Sequence, residues 1–75
     1  MDNYLVRPNH PQNDVYKYAE EQSIICKKIG MYFDKNEFIS QVSNTAITTS
    51  MSLHRSLLYH RRLHEQMVQE YLRGQ

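Results

Sequence analysis

Residues 54–64, HRSLLYHRRLH, gather three histidines and three arginines around four large apolar side chains. Two chemistries suit such a stretch: metal ligation by imidazole and phosphate contact by guanidinium. His60 and His64 stand four residues apart, which on a helix makes them neighbours on one face. An HxxxH pair can offer two imidazoles to a zinc ion, but a complete site takes three or four ligands. Glu65 turns about 100° away from His64 on a helix, Cys26 lies far off in sequence, and the glutamate of HExxH is missing. A second pair across a two-fold axis would be needed to complete the site. His60 and His64 therefore read as polar members of a packing seam, with metal-dependent assembly as the weaker alternative. No cofactor is expected.

The arginines take the opposite side. On a helix Arg55, Arg62 and Arg73 fall near 180–200° from Leu53, with Gln66 and Gln69 close by. A stripe of cations of that kind can follow a phosphate backbone. Glu65 and Glu70 flank it, however, and the net charge of the whole chain is only +1, which gives no general pull toward nucleic acid. Nucleic-acid binding through Arg55, Arg62 and Arg73 stands as the second functional reading. An outward face of Arg and Gln is also what any solvated helix needs.

Catalysis is not expected. The only glycines are Gly30 and Gly74, so there is no glycine-rich phosphate loop. Glu20 and Glu21 are adjacent and so point about 100° apart on a helix. Cys26, the single cysteine, shares a face with Val15 and Ile29, and its position near a helix C-terminus disfavours the thiolate. It reads as a buried, inert thiol.

These residues have to be positioned by helices. Val15, Tyr18, Ala19, Gln22, Ile25, Cys26, Ile29 and Phe33 share one face at helical spacing, which predicts a first helix over about 14–29. Asn13 suits the N-cap, Asp14 the first turn and Lys27 and Lys28 the last, and Gly30 ends it. Residues 1–12, which hold both prolines, read as an extended or mobile arm. Residues 13–75 form one helical domain.

Asp34-Lys35-Asn36-Glu37 is an Asp variant of the capping box and predicts a new helix start. Residues 43–50, SNTAITTS, lower helix propensity. Phase nonetheless carries through them: Phe38, Ile39, Val42, Ala46, Leu57, Met67, Val68 and Tyr71 all fall within about 60° of Leu53 on one winding. The expectation is one helix from about 35 to 73, and thus an all-α helical hairpin with a short first helix and a long second one. A break near Thr48, giving a three-helix bundle, is the alternative.

The hairpin leaves half of the long helix uncovered. Its seam (Leu53, Leu57, His60, His64, Met67 and Tyr71) would then seek a partner, and a second copy supplies the same stripe, so a homodimer in a four-helix arrangement is expected. Ile47, Met51 and Leu58 form a secondary apolar strip, a candidate partner patch. With 75 residues and six tyrosines, the chain reads as a small non-enzymatic protein-interaction module: an adaptor, regulator or inhibitor. It shows no signal-peptide pattern and no membrane-length apolar run, and its free thiol suits a reducing cytoplasm.

Overall fold

The structure is a computed structural model that describes residues 11–74, and within these it is all-helical: α1 (Pro11–Ile29), α2 (Lys35–Thr49) and α3 (Leu53–Arg73). Each helix packs on the other two. Of the expected arm over residues 1–12, residues 1–10 lie outside the described residues, whereas Pro11 and Gln12 already belong to α1. Asn13 is therefore inside the first turn and is not the N-cap.

The end of α1 follows from Gly30, whose φ of 79° is open to glycine at no steric cost. Gly30 N–H donates to the Lys27 carbonyl at 3.3 Å and Met31 N–H to the Cys26 carbonyl at 2.8 Å, the paired bonds of a Schellman ending. Asp34 then caps α2, its carboxylate accepting from the amides of Asn36 (3.0 Å) and Glu37 (3.2 Å). Both features match the sequence expectation.

The second helix does not run on to 73. The chain turns at Ser50, Met51 and Ser52, and α3 folds back against α2. SNTAITTS is helical up to Thr49. The hydroxyls of Thr48 and Thr49 donate back to carbonyls of Asn44 and Thr45 and so serve the last turn. Ser50 takes a left-handed φ of 57°, and Met51 N–H closes onto the Ala46 carbonyl at 3.1 Å. Ser52 restarts the helix by accepting from the Arg55 amide at 3.1 Å. The three-helix alternative, with its break two residues beyond Thr48, is the architecture observed.

The core draws Val15, Tyr18 and Ala19 from α1, Phe38 and Val42 from α2 and Leu57 from α3, with Phe33, Ile39 and Leu53 packed around it. Ala19 is fully buried, and so small a side chain lets the neighbouring helices come close. Tyr18 and Phe33 flank Phe38 with ring centroids 5.6 and 5.7 Å away, a spacing at which tilted aromatic pairs attract. At the far end, the Tyr71 hydroxyl donates to the Gly30 carbonyl at 2.9 Å and ties α3 to the first loop.

The fold-back changes the fate of the seam. Leu57 and His64 are buried within one chain, Leu53, His60 and Tyr71 are half-buried, and only Met67 remains well exposed. The premise of the four-helix dimer, an uncovered stripe on one uninterrupted helix, is thereby lost.

Candidate functional site

His64 sits where all three helices meet. Its ring lies 4.8 Å from Phe33 and close to 6 Å from Phe38 and Tyr18. Its Nε2 is 2.9 Å from Gln22 Oε1. With a carbonyl oxygen as its partner, Nε2 carries the proton and donates. Burial lowers the His64 pKa, opposed in part by the Glu65 carboxylate, so the neutral ring is favoured. His60 lies one turn earlier with its Nε2 2.8 Å from the Thr45 hydroxyl, and burial lowers its pKa as well. The pair thus splits: His64 reaches to α1 and His60 to α2. Among the described residues no three His, Cys, Asp or Glu side chains gather to hold a metal.

Cys26 Sγ lies 3.9 Å from the same His64 Nε2. Because that nitrogen donates to Gln22, it has no lone pair with which to take a thiol proton. Cys26 is fully buried, and burial pushes its pKa up. A neutral thiol beside a neutral imidazole is a packed contact, with neither ion of a nucleophilic dyad formed.

A second polar group lies across α1 and α3. The Tyr18 hydroxyl donates to Glu65 Oε2 at 3.4 Å, Arg61 Nε donates to the same oxygen at 3.1 Å, and the Arg61 guanidinium stands 5.3 Å from the Tyr18 ring centroid. Burial, reinforced by Glu65, pushes the Tyr18 phenol well above its ordinary range. Tyr18 is therefore a neutral donor that clasps the two helices.

A concave surface opens beside His60 and His64. There a groove of about 460 Å³ runs between the start of α2 and the middle of α3. Phe33 and Phe38 lie in it beside the two imidazoles. Tyr32 (81% exposed), Leu63 (41%) and Met67 (58%) stand around its edge, and the carboxylates of Asp34 and Glu37 line the α2 end. Leu63 and Met67 are one helical turn apart, so their side chains form a continuous apolar edge.

The remaining sequence candidates are dispersed. Arg55, Arg62 and Arg73 are exposed along α3, and none forms an ion pair among the described residues. Ile47 is 76% exposed and Leu58 47% exposed. Leu58 lines a smaller α1–α3 groove with Asp14, Lys17 and Arg61, to which neither Ile47 nor Met51 contributes. Tyr32, Leu63, Asp34 and Glu37 were not singled out as a site by sequence reasoning. A signal for them exists only once α3 is folded back onto α2, because the groove joins residues far apart in the chain.

Compared with known proteins, the chain matches no family model, no curated sequence and no solved structure.

Proposed function

We propose that the chain is a small non-enzymatic protein-interaction module that receives a segment of another protein in the groove between α2 and α3. One observation carries this reading: Tyr32, Leu63 and Met67 are exposed together around a concave apolar surface. Single exposed hydrophobes are ordinary on a protein surface, but apolar side chains converging on a cleft are the usual anatomy of a binding site. Tyrosine and methionine suit this use, one as a rigid amphipathic contact and the other as an adaptable filler. The neutral, buried Cys26–His64 contact supports the non-enzymatic part of the reading. An unpaired thiol supports a reducing, cytoplasmic setting, and no described helix is long and apolar enough to cross a membrane.

Affinity capture with the full chain, compared across variants, tests the proposal. A partner retained by the wild type and by Ile47→Asp but lost on Met67→Asp supports it. Capture that survives Met67→Asp and Leu63→Asp overturns it. The second reading, a nucleic-acid contact, draws on the exposed Arg55, Arg62 and Arg73, which form no ion pair among the described residues. It requires binding to RNA or DNA that weakens steeply with salt. Homodimerisation is a separate matter. With Leu57 and His64 buried inside one chain, light scattering is expected to give the mass of a monomer across a wide concentration range. A stable mass of two chains would restore the dimer.

A further inference from the structure

The groove is electrically one-sided. The carboxylates of Asp34 and Glu37 line it, and among the described residues no lysine or arginine does. The neighbouring Lys35 is turned toward Glu20 of α1, with Nζ 3.9 Å from the carboxylate. Glu37 is exposed and forms no ion pair among the described residues. The partial positive charge of the α2 N-terminus is already capped by Asp34 Oδ1, and the imidazoles of His60 and His64 are neutral near pH 7. An occupant of this cleft therefore meets an apolar floor and a carboxylate pair at one end.

The backbone restricts the form of the occupant. Apart from the loop residues Tyr32 and Phe33 and the capping Asp34, the walls are helices, whose main-chain groups are satisfied internally, and the described residues include no strand whose edge could pair with an extended peptide. A segment that buries its own main chain in this cleft must satisfy its own hydrogen bonds, as an amphipathic helix does. The α2 wall runs from Asp34 to Gln41, about 10 Å at helical rise. That length accepts two anchor side chains one turn apart.

We propose that the groove selects a short amphipathic helix of a partner protein, with two large apolar residues one turn apart and a lysine or arginine placed to meet Asp34 and Glu37. This rests on the interaction reading above and adds the chemistry of the partner. The apolar anchors supply affinity, and the cation supplies orientation and discrimination against acidic segments.

The test is a selection of helix-favouring peptides, with randomised surface positions, against the full chain, followed by affinity measurements on the enriched sequences. The expected sequences carry paired large apolar residues with Lys or Arg beside them. Glu37→Lys is expected to weaken a basic peptide about fivefold at low salt, the scale of one partly exposed ion pair, and to strengthen its acidic counterpart. Met67→Asp is expected to abolish both. Peptides enriched without charge preference, or indifferent to Glu37→Lys, overturn the charge assignment and leave the interaction reading standing. Failure to enrich any peptide sensitive to Met67→Asp overturns both. A peptide-free mass of two chains that falls to one on Met67→Asp would give the groove to a second copy and overturn the proposal. An affinity that rises when Leu5 and Val6 are changed to Asp would give it to the chain's own first residues, with the same consequence.

Discussion

Ser56 provides the sharpest test of the fold-back. It is fully buried on α3, and its hydroxyl donates to the Val42 carbonyl of α2 at 2.6 Å. On one uninterrupted helix the two residues would be about 21 Å apart, so this contact exists only if the chain reverses at Ser50–Ser52. Ser56→Ala removes the hydroxyl donor, while the Val42 carbonyl keeps its place in the α2 ladder. The expected cost is about 1 kcal/mol. Ser56→Val loses the same bond and forces added carbon into a filled interface, for a total of about 2–4 kcal/mol. At a urea slope near 1 kcal/mol/M, the midpoints should fall by about 1 M for alanine and by about 2 M or more for valine. Circular dichroism at 222 nm across a urea series reads both. Valine as stable as wild type, or more stable, would refute the fold-back, because on a long exposed seam an added apolar group is harmless or helpful.

Further outcomes follow from the caps, the thiol and the imidazoles. Gly30→Ala places a Cβ at a φ of 79° and 3.3 Å from the Tyr71 hydroxyl; a loss of about 1–2 kcal/mol is expected, and a neutral urea midpoint would contradict the αL ending. Ser50→Gly relieves a left-handed serine and should raise stability by about 0.5–1 kcal/mol, whereas destabilisation in the same assay would argue against the turn. Cys26 should react with a thiol reagent only through opening of the fold, so labelling should slow as urea is lowered; immediate labelling in native buffer would contradict its burial. His60 and His64 both have folded-state pKa values below the ordinary 6.5, so below that pH the unfolded chain binds more protons. Stability is thus full above about pH 6.5 and falls as pH drops through the lowered folded values. A urea midpoint unchanged between pH 7.5 and 5 would count against both environments.

The local signals of this chain were legible because they act within a few residues. Gly30 ends α1 for a reason any sequence shows, and the Asp34–Glu37 pattern marks the start of α2. Burial of Val15, Val42, Leu57 and His64 also follows their spacing. The break was hidden by arithmetic: from Thr49 to Leu53 is four residues, close to one turn of about 3.6. The hydrophobic phase therefore passes through the interruption nearly unchanged, and α2 and α3 present the same stripe whether joined end to end or folded side by side. Serine in the left-handed region gave no warning, since that position usually goes to glycine or asparagine. Ser52 three residues before Arg55 was a weak N-cap signal, masked by the serines and threonines around it. The groove was invisible for a different reason. It depends on Tyr32 and Glu37 meeting Leu63 and Met67 across the fold, which no helical period within one segment records.

The claim that the α2–α3 groove is the binding surface is tested most directly by two-dimensional NMR of the full chain titrated with a helical peptide. The peptide carries two leucines one turn apart and an adjacent arginine. Saturable shifts centred on Tyr32, Glu37, Leu63 and Met67 are expected, absent in Met67→Asp. Shifts centred on Leu58, Ile47 or the Arg55–Arg62 face, or no shifts at all, would contradict it.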